Sequence, residues 1–187
     1  MFDMHLKFKN ELSIIEEQEV INIFEELYED IYESITEIED IQSVLSLFCE
    51  VLFRSNSIEF HISGFGETSW NVSSMELCCV LEEFSTFSSS IISNIQKNLF
   101  NFYIDFYEQG VERTLKFEDE GDNVKIFCES RTNWIPNPTI EKIEKEKLKI
   151  MLEKFHNDFF YAIKCACPFL LDYPTIREVL ISSGFKY

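Results

Sequence analysis

From Phe100 the chain alternates without a break: Phe100, Phe102, Ile104 and Phe106 are apolar, while Asn101, Tyr103, Asp105 and Tyr107 stand between them. A period of two sustained this long puts one side of an extended strand in a core and the other in solvent. Glu108-Gln-Gly110 supplies a turn, Glu112 to Phe117 returns, Glu120-Gly-Asp-Asn123 turns again, and Val124, Ile126 and Cys128 line one side of a further strand. Loops this short join neighbours in alternating directions, so the segment predicts a three-stranded antiparallel meander. Its apolar face must be covered, and helical periodicities before and after it offer the cover.

Earlier, Phe2, Met4, Leu6 and Phe8 alternate with Asp3, His5, Lys7 and Lys9, a half-buried strand. Ser13-Ile-Ile-Glu16 has capping-box spacing and predicts a helix start. Val20, Phe24, Leu27, Ile31, Ile35 and Ile38 then recur every three or four residues as one apolar stripe. Asp40 restarts or continues that helix through Ile41, Val44, Leu45, Phe48 and Leu52 until Arg54-Ser-Asn-Ser57 breaks it. Ile58, Phe60 and Ile62 read as a short strand that ends in Gly64-Phe-Gly66, a tight turn or a close backbone approach. Ser74 to about Phe84 is expected to be helical, with Met75, Cys78, Cys79 and Leu81 toward the inside, and a further helix is expected from about Ser89 to Gln96. Asn133-Trp-Ile-Pro-Asn-Pro138 is an extended loop, because each proline biases its predecessor away from helix. Thr139 then caps a helix with the stripe Ile143, Leu148, Met151, Leu152, Phe155 and Phe159, and Thr175 to Ser182 makes a last one. The expected fold is α+β: an antiparallel meander with helices on one side, in a single domain of residues 1–187. Residues 10–56 form its acidic helical segment, and residues 57–187 its sheet and C-terminal helices.

Charge is distributed unevenly along this outline. The 187 residues carry a net charge of −18. Between Asn10 and Phe53 there are 13 acids and no Lys or Arg. Glu16, Glu17, Glu19, Glu25, Glu26, Glu29, Asp30, Glu33 and Glu37 fall on the polar side of the stripe. Like charges at helical spacing repel by ~0.2–0.5 kcal/mol per pair, so nothing about helix stability requires them. Two readings follow: a solvated face that keeps the protein soluble, or a surface that steers a cationic partner. Either way this face excludes direct binding of nucleic acid.

No catalytic constellation emerges. The six cysteines lie mostly inside predicted elements of a chain without a leader-like apolar run, and read as reduced core residues of a cytoplasmic protein. Cys165-Ala-Cys167 is too close for a zinc half-site. His5, His61 and His156 are scattered, and only a chance approach of His61 to Cys128 across the sheet would pair a base with a nucleophile. Gly64-Phe-Gly66 lacks the remaining residues of a phosphate loop. Asp105, Glu108 and Glu112 flank one turn and read as a solvated strand face. No metal, cofactor or membrane span is expected.

The remaining candidates sit in loops beside the meander, where Trp70, Glu108, Arg113 and Trp134 bring residue types frequent at binding hot spots. The two tryptophans equally suit a cap on the core at the sheet edge. The stretch Asp105-Phe-Tyr-Glu-Gln-Gly-Val-Glu-Arg-Thr-Leu115, with Gly64-Phe-Gly66, Trp70 and Trp134-x-Pro136, resembles immunity proteins of bacterial polymorphic-toxin and contact-dependent growth inhibition systems. The resemblance spans about residues 57–175. It implies a cytoplasmic, non-enzymatic inhibitor that binds and neutralises a cognate toxin domain, one expected to be basic, with a nuclease as one such class. The acidic helix lies outside it, so Glu25, Glu26, Glu29 and Glu33 stand as partner-binding candidates on charge alone. The alternatives are a small-molecule or enzymatic pocket around Trp70, Arg113 and Trp134, and an acidic nucleic-acid mimic that sequesters a DNA-binding protein.

Overall fold

The computed structural model describes all residues except 10, 11, 86–93, 96, 99, 108, 109 and 187. The fold is α+β. The meander forms as the alternation requires: β3 (Asn101–Phe106), β4 (Arg113–Glu120) and β5 (Asn123–Ser130) pair antiparallel in sequence order. Burial alternates along β3, so Phe102, Ile104 and Phe106 face the core, and Phe102 stacks on its cross-strand partner Phe117 with centroids 4.4 Å apart.

A fourth strand extends the sheet. Ile140–Glu144 forms β6, paired with β5, and helix α4 (Lys145–Ala166) begins only after it. This corrects the expectation of a helix capped by Thr139 and carrying Ile143. Glu141 and Ile143 are buried at alternate positions, and Glu141 Oε1 accepts from Phe65 N at 2.7 Å. That bond joins β6 to the Gly64-Phe-Gly66 turn. Gly66 has φ +94°, and a Cβ built there would lie 2.6 Å from Asn137 O, so glycine is required by both conformation and space. Asn137 N donates back to Phe65 O at 2.9 Å, tying the proline loop to the same turn.

The N-terminal strand β1 (Asp3–Phe8) pairs antiparallel with β2 (Ile58–Ser63) as a separate two-stranded sheet. The acidic segment is the excursion between these partners. It is not one long helix. Helix α1 (Glu17–Tyr28) ends before Ile31, which is 67% exposed instead of lying on the apolar stripe; a short 3-10 turn, Ile35–Glu37, precedes α2 (Ile41–Arg54). Asp40 caps α2, accepting from Ser43 N at 2.8 Å and from Tyr32 Oη at 2.6 Å. Burial alone would raise its carboxyl, but these hydrogen bonds outweigh it and hold the pKa below the ordinary value.

The capping box expected at Ser13 and Glu16 does not form. Ile15 is buried and its N–H donates to Ala166 O at 2.7 Å, so this stretch runs along the end of α4 and α1 starts late, without a side-chain cap. The same spacing is used at Ser73 and Glu76, where Glu76 Oε2 accepts from Ser73 N at 2.6 Å and Ser73 Oγ from Met75 N at 3.2 Å. These bonds open α3 (Ser74–Ser85), on which Cys78, Cys79 and Leu81 are buried while Met75, expected inside, is exposed. The helix expected at Ser89 to Gln96 falls largely outside the described residues. A last helix, α5 (Pro174–Ser182), follows Pro168–Asp172, a 3-10 turn.

Phenylalanine joins the layers. Phe155 of α4 meets Phe60 of β2 at 5.6 Å and Phe84 of α3 at 6.0 Å, and Phe159 meets Phe48 of α2 at 6.3 Å. The buried apolar residues make one contiguous cluster, with α3 against β3 and α4 against β5 and β6. Among the described residues no helix is long and apolar enough to cross a membrane.

Candidate functional site

Four of the sequence candidates converge. Glu25, Glu26 and Glu29 share one flank of α1, as residues three and four apart must. The chain then tightens, with Ile31 N and Tyr32 N both donating to Tyr28 O, and this brings Tyr32 and Glu33 round to the same side. Together with Asn22 and Phe24 they line an open concavity of about 740 Å³. Phe24, Tyr28 and Tyr32 form a ladder with successive centroids 5.7 Å apart. Tyr28 Oη donates to Ser43 O at 3.0 Å and burial pushes its pKa up to about 12, so the wall is anchored to α2 and stays uncharged.

Arg54, at the end of α2, pairs with Glu26 and with Glu50, the latter at 2.9 Å. Among the described residues no ion pair neutralises Glu25, Glu29 or Glu33, all exposed. The concavity therefore holds a concentrated negative field with a tyrosine at its side, an arrangement suited to Lys or Arg side chains.

The loop candidates behave differently. Trp70 is 3% exposed and Arg113 7%, so neither presents a contact surface; Trp134 is half-buried. The Arg113 guanidinium carbon lies 4.3 Å from the Trp70 ring centroid and 3.5 Å from that of Trp134, and the rings themselves are 6.3 Å apart. Glu67 completes the group, with its Oε2 2.7 Å from Arg113 Nη1. Of the two readings of the tryptophans, this is the cap on the core. Among the described residues, these side chains fill the space between one another. Nearby Arg131 binds Asp105 Oδ1 at 2.7 Å and Phe106 O at 2.9 Å, so Asp105 belongs to an ion pair and not to an acid dyad. Glu108 lies outside the described residues.

The nucleophile and base candidates stay apart. His61 packs on the His5 ring at 4.8 Å, across the β1–β2 pair, whereas Cys128 is buried in the other sheet. Burial, followed by His5 and Lys7, lowers the His61 pKa. His156 is a core residue whose pKa burial lowers, stacked on Phe185 at 5.9 Å. Burial pushes Cys79, Cys128 and Cys167 up to about 12, which leaves no thiolate there at neutral pH. No group of three or more His, Cys, Asp or Glu suited to a metal occurs among the described residues.

Two features had no signal in the sequence. Glu67 reaches Arg113 across 46 positions. Glu83, near the end of α3, has a buried Oε2 with no hydrogen-bond partner among the described residues, and its pKa is pushed up to about 7 by burial, then by Glu82 and Asp105. In comparisons with known proteins the chain matches no family model, no curated protein and no solved structure at a significant level.

Proposed function

We propose that this chain is a non-catalytic binding protein that captures a cationic protein at the α1 concavity, as the immunity partner of a toxin domain. The observation that carries the reading is the convergence of Glu25, Glu26, Glu29 and Glu33 on one open concavity, where Glu26 alone of the four has an ion pair, to Arg54, among the described residues. Such a field raises encounter rates with a basic surface by ~10–10³-fold and discriminates against acidic ones. A nuclease domain fits this chemistry, because a surface built for polyanionic substrate is basic. The burial of Trp70 and Arg113 moves the weight of recognition from the loops to the helix.

Reversing all four glutamates to Lys tests the site. The association rate with a basic toxin domain that the unaltered chain binds should fall by at least ~10-fold, and its salt dependence should flatten. An unchanged rate would reduce the acidic face to a solvated surface. If no product of an adjacent gene binds, and co-expression rescues no growth, the immunity reading itself fails. An acidic mimic that sequesters a DNA-binding protein would use the same concavity, and growth rescue by co-expression separates the two.

A further inference from the structure

His5 and His61 stand directly opposite each other in the antiparallel β1–β2 pair, so both side chains leave the same face of that sheet. Met4, Leu6, Phe60 and Ile62, at the alternate positions, are buried, which turns the histidine face away from the core. Both rings are partly exposed, the His5 side chain at 32%. Their centroids are 4.8 Å apart and their planes are inclined at 41°.

The Asp3 carboxylate fixes the His5 ring, with Oδ2 2.7 Å from His5 Nδ1. A carboxylate only accepts, so Nδ1 carries the proton and Nε2 the lone pair. A carboxylate behind one imidazole nitrogen is the arrangement that orients a metal-ligating histidine and makes its other nitrogen more basic. The ring separation fits the same role. An ion held at ~2.0–2.1 Å by two imidazole nitrogens lies about 3.2 Å from each centroid, and an angle of about 90–110° at the ion sets the centroids ~4.5–5.2 Å apart. The separation of 4.8 Å falls inside that span. The neighbouring pairs on this face, Asp3–Ser63 and Lys7–Glu59, add two carboxylates and one ammonium, a balance that favours a cation.

We propose that His5 and His61 form a two-imidazole site for a divalent late transition-metal ion, with Asp3 as the residue that positions His5. Imidazole selects Ni²⁺, Cu²⁺ or Zn²⁺ over Mg²⁺ and Ca²⁺, which take oxygen ligands. Two protein ligands are fewer than a closed structural zinc site uses, so the ion keeps open positions for water or a further ligand. The site shares no residue with the α1 concavity.

Ni²⁺ is the probe, because it binds imidazole without oxidising the thiols of this chain. It is titrated to roughly 1 mM into the full chain at neutral pH, with excess Mg²⁺ present to occupy carboxylates. In the amide spectrum of the unaltered chain the paramagnetic ion should broaden residues 3–7 and 59–63 first. His5→Ala and His61→Ala should each weaken binding at least ~10-fold. Asp3→Ala should weaken it about 10-fold, and Asp3→Asn, which still accepts from Nδ1, by less. An unchanged circular dichroism spectrum shows that each variant keeps its fold. Absence of binding over this range, broadening centred away from β1 and β2, or an affinity indifferent to either histidine overturns the proposal. The broadening is read on the unaltered chain, so the test stands even where a variant does not fold. No partner protein enters this experiment, so its failure leaves the toxin-binding reading untouched.

Discussion

Replacing Arg113 with Lys keeps a cation beside Glu67 but removes the flat group held between two indoles. The guanidinium carbon sits 4.3 Å from the Trp70 centroid and 3.5 Å from that of Trp134, and the side chain is 8% exposed. A cation–π contact shielded from water contributes up to ~2 kcal/mol, and a compact lysine ammonium cannot replace a broad guanidinium placed against both rings while it also pairs with Glu67. The substitution should therefore destabilise the fold by about 1–3 kcal/mol. Arg113→Met goes further, because it leaves Glu67 without its partner; at 31% exposure Glu67 keeps some solvent, so the cost should approach but not exceed ~3–5 kcal/mol. Urea unfolding followed by far-ultraviolet circular dichroism measures these values without relying on the tryptophans as reporters. A cycle of Arg113→Lys, Trp134→Leu and the double variant isolates the stacking contribution, expected at about 0.5–2 kcal/mol. Coupling within ~0.3 kcal/mol of zero would refute the argument. If these side chains instead contacted a partner, stability would hold and affinity would fall.

Glu83 should make stability fall with rising pH. Its folded-state pKa of about 7 stands above the ordinary 4.5, so the protonated form is favoured by folding, and its contribution is lost as pH rises from 4.5 through about 7. Glu83→Gln should flatten that dependence and, after discounting for partial exposure, stabilise the protein by about 1–2 kcal/mol at pH 8; melting curves at pH 5 and pH 8 give the comparison. Gly66→Ala should cost at least ~2 kcal/mol in urea unfolding, since it adds a strained backbone conformation to a clash with Asn137. Asp40→Ala removes the α2 cap and should cost about 1 kcal/mol at neutral pH. Because folding lowers the Asp40 pKa, that difference should shrink as pH falls through the folded-state value.

The sequence alone determined what depends on neighbours a few positions apart. Strict alternation and two turn signals were enough for β3, β4 and β5. The acidic run was visible as a count, and helical spacing placed Glu25, Glu26 and Glu29 on one flank. Tertiary structure decided the rest, because its causes lie between distant residues. β6 has only five residues and directly precedes a long helix, so its period of two was read as part of a helical stripe; pairing with β5 and the Phe65–Glu141 bond make it a strand. Ser13 and Ser73 have the same capping-box spacing, and Ile15 docking on the end of α4 removes one while leaving the other. Trp70, Arg113 and Trp134 could be named from the sequence as binding-type residues in nearby loops, but only the fold brings them into contact, supplies Glu67 and buries the guanidinium. The concavity exists because α1 stops at Tyr28 and Tyr32 is held by the cap of α2. Periodicity and charge act over a turn of helix or a pair of strands, whereas burial and the enclosure of a surface depend on which distant segments come to lie against it.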